Sequence, residues 1–182
     1  MAGRTDNVRD TVLRDELLAA RRGQAFFARK LNELRDEDFA APSRLPGITR
    51  AHLVAHVGYH ARALARVVEG AGSGVRAPLY DSPAERRAEE SLGATLPVEA
   101  LRNLVAHAAV HLNVEWRDLP EPAWTHEVQL SDDAVGPVSR TVWLRAAELW
   151  AHTLDLGNGA VPSDIPSHLR DRLSVDRSCS LL

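Results

Sequence analysis

The sequence predicts an all-α protein, a four-helix bundle with long connections between its helices. Three observations lead there. Four long segments repeat apolar residues at spacings of three, four and seven, which is the period of an amphipathic helix and not of a strand. Residues able to cap a helix stand at the boundaries of those segments. Alanine, leucine, glutamate and arginine, all good helix formers, dominate the segments themselves.

Asp10 or Thr11 offers the cap for the first helix. Leu13, Leu17, Ala20, Phe27, Leu31 and Leu34 form its apolar stripe, which Leu18 and Phe26 widen, and Gly23 weakens the helix without ending it. The run Arg35 to Asp38 reads as a solvated end, followed by a loop from Phe39 to Arg44. A turn at Leu45-Pro46-Gly47-Ile48 leads to Thr49, the N-cap of a second helix that runs to about Val68 and stops at the glycines of Gly70 to Gly74. After a loop at Pro78 to Pro83, Ala84 to Glu90 forms a short polar helix carrying Arg86 and Arg87, placed where it can lie over a cavity mouth.

Pro97 suits the first turn of the third long helix, which reaches about Asp118 and turns Leu101, Leu104, Val105, Ala108, Leu112 and Trp116 to the core. An irregular connection from Pro120 to Arg140 contains Trp124 and a short extended piece at Glu127 to Leu130. Thr141 is the expected cap of the fourth helix and Gly157 its left-handed terminator. One more short helix covers Ile165 to Leu173. Residues 1–173 therefore make the bundle, and 174–182 a loose tail.

Composition narrows the function classes. A chain of 182 residues suits a single domain with a real core. With 22 basic and 25 acidic residues the formal charge is −3, which argues against a nucleic-acid surface. A single cysteine, Cys179, excludes a disulfide framework and a thiolate-rich zinc site. Met1 to Asp10 carries Arg4, Asp6, Arg9 and Asp10, unlike a signal peptide, and no apolar run is long enough to cross a membrane. The expectation is a soluble cytoplasmic protein.

The fourth helix carries the candidate site. Glu148 and His152 are four residues apart on one face, which Arg145 and Asp155 extend by a turn each way. Leu144, Ala147, Leu149, Trp150, Ala151 and Leu154 flank this polar row on both sides, so it points into the bundle. An i,i+4 Glu-His pair has two readings: a hydrogen bond across one helical turn, or two ligands of a metal ion. For the second, His56 of the second helix is the third ligand, and two imidazoles with a carboxylate leave one position open on zinc. His52 and His60 lie one turn to either side of His56. His107 and His111 form a further pair, but they flank the core stripe of their helix and are expected at its exposed boundary. The chain has no serine elbow, no Gly-rich phosphate loop and no cysteine near these histidines. A catalytic metal would therefore use bound water or an imported nucleophile.

The run Leu45 to His56, together with Arg145 to Gly157, resembles the mycothiol-dependent maleylpyruvate isomerases, members of the DinB-like superfamily of metal-binding four-helix bundles. Pro78 to Pro83, Ala100 to Leu104 and Trp124 to Val128 extend the likeness to roughly residues 10 to 173. The resemblance implies zinc held by His56, Glu148 and His152, and a role in activity for Arg86 through a substrate carboxylate. His60 stands where the family often has asparagine. This implies an imidazole behind the ligands, with direct ligation left open.

The implied substrate is maleylpyruvate, a small dianionic keto acid, and the implied cosubstrate is mycothiol, a cysteine-containing sugar thiol. A zinc-activated thiolate would add to the cis double bond, allow rotation, and leave to give fumarylpyruvate, a step of gentisate breakdown. Family isomerases continue into a smaller C-terminal α/β domain, which this chain is expected to lack, with self-association through the apolar surface left uncovered. Two alternatives stand beside the isomerase. One is a mycothiol S-transferase of the same bundle type, and the other a metal- and thiol-binding bundle without turnover.

Overall fold

A computed structural model describes residues 6–131 and 134–176, with side chains placed to residue 173. The fold is all-α in class, and among the described residues no helix is long and apolar enough to cross a membrane. Its long helices are α1 (Thr11–Glu33), α2 (Arg50–Ser73), α4 (Val98–Asp118) and α5 (Arg140–Asp155). Two shorter ones, α3 (Pro83–Gly93) and α6 (Ser167–Asp176), bring the described helices to six, so a strict four-helix plan is too simple. Between α4 and α5, β1 (Glu127–Gln129) pairs antiparallel with β2 (Val135–Pro137), Val128 opposite Gly136. The sequence pattern identifies β1 alone, because Val135-Gly136-Pro137 is too short and too glycine- and proline-rich to read as a strand.

The helix boundaries follow their caps. The Asp10 carboxylate accepts from the Val12 and Leu13 amides, and Thr49 Oγ1 accepts from the His52 amide. Helix α2 runs past the expected stop at Gly70 and ends only at Gly74, whose φ of 75° is left-handed. Gly70 serves closeness instead, since a Cβ there would press on the Val75 carbonyl that folds back on the helix end. Thr141 is no cap either. It lies inside α5, where its hydroxyl donates to the Val138 carbonyl, and Ser139 precedes the helix. Helix α6 continues through Asp176, past the expected boundary at 173, and the tail beyond it lies outside the described residues.

The principal seams are α2 on α4 and α1 on α5, with a narrower one between α2 and α5. Most of the expected stripe residues are in the core, but Leu18 is 44% exposed. Phe39, expected in a loop, is buried in a 3-10 turn over Asp36–Ala40. Gly23 is the contact point of α1 with α5, because a Cβ there would stand 3.0 Å from Trp150 Nε1 and 3.2 Å from Leu149 Cβ.

Candidate metal centre

Side-chain to backbone hydrogen bonds fix α2 and α5 against each other. Trp150 Nε1 donates to the Ala19 carbonyl at 3.1 Å, which sets the rotation of α5 on α1. From α2, Arg50 donates through Nε to the Leu156 carbonyl at 2.7 Å and through Nη2 to the Gly157 carbonyl at 3.1 Å. One residue of α2 thus satisfies carbonyls that α5 leaves free at its C-terminus. Buried Arg145 donates to the Val57 carbonyl at 2.8 Å and to Gln24 Oε1 at 3.1 Å, tying α5 to α2 and α1. Between these anchors the polar row of α5 faces α2.

His56, Glu148 and His152 meet there, all buried, with one potential ligand atom from each lying within 4.8 Å of the others. His152 Nε2 is 3.6 Å from Glu148 Oε2, too far for the hydrogen bond that the simpler reading of the pair requires. His56 Nε2 approaches Glu148 Oε1 to 2.6 Å, yet neither atom gains hydrogen-bond geometry from it. The His56 and His152 rings meet edge to face with centroids 5.2 Å apart. His60 stacks behind His56 at 6.2 Å and brings its Nδ1 to 3.7 Å from Glu148 Oε1, beside the cluster and not in it.

The outer nitrogens are engaged. His152 Nδ1 lies 3.0 Å from Asp155 Oδ2, and His56 Nδ1 lies 2.8 Å from Glu90 Oε1. An ionised carboxylate only accepts, so in the neutral form of each imidazole Nδ1 carries the proton and Nε2 keeps the lone pair that a metal takes. Asp155 was legible as part of the α5 row. Glu90 was not: it belongs to the polar helix α3, and nothing in its sequence neighbourhood marks it as buried at 3% exposure.

Burial works to raise the Glu148 pKa, but the imidazoles of His60, His56 and His152 outweigh it and hold the carboxyl well below its ordinary range. Burial works to lower His56, yet Glu148 and Glu90 prevail and raise it to about 9. Burial pushes His60 down to about 3, which keeps it neutral, and lowers Arg145 only to about 10, which leaves it charged at neutral pH. The centre therefore holds an ionised carboxylate, Glu148, against a His56 proton that a metal cation can displace.

The remaining candidates lie outside the cluster. His107 and His111 are exposed, and His111 faces Glu115 at 3.3 Å on the surface of α4. His52 is half-buried at the start of α2. Arg86 is half-buried on α3 with its guanidinium 5.6 Å from the Tyr80 ring centroid. Both residues, with Arg66 and Glu89, line a surface cavity of about 690 Å³. Tyr80 turns its hydroxyl inward, where it is buried without a partner, and burial followed by the charges of Glu148 and Glu90 raises its pKa.

The donor set fits a divalent metal ion. His56 Nε2 and both Glu148 oxygens are buried and lack hydrogen-bond partners, a condition that costs about 1–3 kcal/mol for each such group. Two imidazole nitrogens and a carboxylate are the donors that zinc takes in open, three-ligand sites. Bonds of about 2.1 Å at tetrahedral angles put donors about 3.4 Å apart, close to the 3.6 Å between His152 Nε2 and Glu148 Oε2.

Known proteins resemble the chain as follows. The family profile described as the mycothiol maleylpyruvate isomerase N-terminal domain matches residues 20–157. Crystal structures of a mycothiol-dependent maleylpyruvate isomerase and of a histidine mutant of that enzyme superpose with TM-scores of 0.86 and 0.87 at 39% identity. Each match covers 91% of this chain and 68% of the relative's. Among curated proteins no match is found.

Proposed function

The chain belongs to the mycothiol maleylpyruvate isomerase N-terminal domain family, and on that premise we propose that its bundle binds a divalent metal, zinc, and a thiol cosubstrate, mycothiol, for the cis-trans isomerisation of maleylpyruvate. The observation that carries the reading is the buried, unpartnered donor set of His56 and Glu148, completed by His152. When bound there, zinc supplies the Lewis acidity that lets a thiol lose its proton near neutral pH.

The chain's own residues have separate tasks. Glu90 and Asp155 hold the two imidazoles so that both Nε2 atoms converge. His60 stands beside Glu148, its Nδ1 3.7 Å from Oε1, and backs the ligand ring of His56. Arg86, at the cavity rim, pairs with a carboxylate of the dianionic keto acid, for which a planar guanidinium offers two parallel donors. The described residues bring no thiol to the centre, so the nucleophile is the imported one.

Cobalt-substituted protein titrated with mycothiol tests the reading. A thiolate-to-cobalt absorption band, followed by thiol-dependent formation of fumarylpyruvate, is the expected result. The band without product identifies a binding module that does not turn over, and accumulation of a mycothiol adduct identifies an S-transferase. Absence of the band overturns thiol binding at this centre.

A further inference from the structure

Helix α3 is seated against the hydrophobic pattern of its own sequence. Its one large apolar residue, Leu92, is 70% exposed, whereas Glu90 is 3% exposed. Hydrophobic burial alone would turn the helix the other way, since covering a leucine is favourable and an unpaired buried carboxylate is strongly unfavourable. Only two positions of α3 are buried, Glu90 and Gly93. A Cβ on Gly93 would overlap the Tyr59 ring and stand 3.0 Å from Ala55 Cβ, so the glycine admits α3 to close contact with α2. Glu90 then reaches His56 Nδ1 at 2.8 Å. One turn earlier on the same face lies Arg86, over Tyr80 at the cavity.

We propose that Glu90 is a positioning residue that couples the metal centre to the substrate cavity. It orients His56 for the metal and, through the same hydrogen bond, docks the helix that carries Arg86. The inference rests on the metal reading given above. Coupling is reciprocal: if docked α3 strengthens metal binding, bound metal must strengthen the docking of α3 by the same factor. A residue that served only to pack α3 would not transmit the state of the metal.

The test is zinc affinity, measured by chelator competition, together with hydrogen exchange of the α3 amides in metal-free and zinc-loaded protein. Wild type is expected to bind zinc and to exchange more slowly in α3 when loaded. Glu90→Ala is expected to bind zinc 10–100-fold more weakly and to lose the zinc-dependent slowing in α3. Leu92→Ala, on the exposed side of the same helix, should match wild type in both respects. If Glu90→Ala fails to fold, the isosteric Glu90→Gln carries the test, with a several-fold loss of affinity expected. Wild-type affinity and undiminished zinc-dependent protection in either variant would overturn the coupling while leaving the metal reading intact. A wild-type protein that takes up no zinc would overturn the metal reading and the coupling together, a distinguishable failure.

Discussion

Histidines four residues apart occur on α2 and on α4, and the two pairs have opposite surroundings. His56 and His60 are 1% and 4% exposed at the heart of the bundle, while His107 and His111 are exposed. The spacing is the same, so spacing alone does not make a site. What differs is the flank. Around His56 and His60, Leu53, Val54, Ala55, Val57, Ala61 and Leu64 are fully buried, and the exposed face of α2 runs along the row Arg62, Arg66, Glu69 and Ser73, away from the two histidines. On α4 the histidines lie beside Val110, which is 64% exposed, outside the stripe formed by Leu101, Val105, Ala108 and Leu112. The period of a helix says which side chains can meet. The width of its apolar surface says whether they meet away from water.

The largest effect should come from exchanging the two pairs' roles by mutation. His56→Ala is expected to weaken zinc binding by at least ~100-fold, since one of three protein ligands is lost, whereas the double variant His107→Ala/His111→Ala should bind as wild type does. Equal affinities in equilibrium dialysis would erase the distinction drawn between the pairs.

Next in size is the close approach that buries α2. A Cβ on Gly58 would stand 2.7 Å from Leu104 Cγ, so Gly58→Val should destabilise the fold by about 1–3 kcal/mol through overpacking. Chemical denaturation reads this directly, and an unchanged midpoint would mean that α2 and α4 can separate without loss.

A third test is protonic. In metal-free protein the His56 pKa is raised from 6.5 to about 9, so its stabilising contribution is complete below pH 6.5 and is lost as pH rises through about 9. A metal must displace that proton. Zinc uptake near neutral pH should therefore release about one proton from His56, visible as a dependence of calorimetric heat on buffer ionisation enthalpy. Heat independent of the buffer would argue that His56 is not a ligand. The smallest effect belongs to the outer pair: His111→Ala should change stability by less than about 0.5 kcal/mol, because the Glu115 contact it removes is 3.3 Å long and half exposed on the histidine side.

The same contrast explains what was legible in the sequence. The ligand row of α5 could be read because Glu148 and His152 stand in a segment flanked by apolar residues, and His56 because Leu53, Val54, Ala55 and Val57 surround it. Glu90 could not. It sits in Pro83–Gly93 among charged residues, where burial leaves no periodic trace, and the leucine that looks like the anchor of α3 points outward. The second strand of the hairpin was hidden by its glycine and proline. The glycines at positions 70 and 72 read as a helix end, but α2 continues through them to Gly74, because tertiary contact at Gly70 overrides propensity there. Sequence pattern thus captured the residues whose role is written in their own helix. It missed those whose role depends on a neighbouring one.

The measurement that bears most directly on the metal centre is anomalous diffraction from a zinc-loaded crystal of this chain. One strong peak is expected, bonded to His56 Nε2, His152 Nε2 and a Glu148 carboxylate oxygen, at about 2.0–2.2 Å from each, with none at His107 or His111. A loaded crystal with no peak among His56, Glu148 and His152, or with its zinc on the exposed pair of α4, would contradict that expectation.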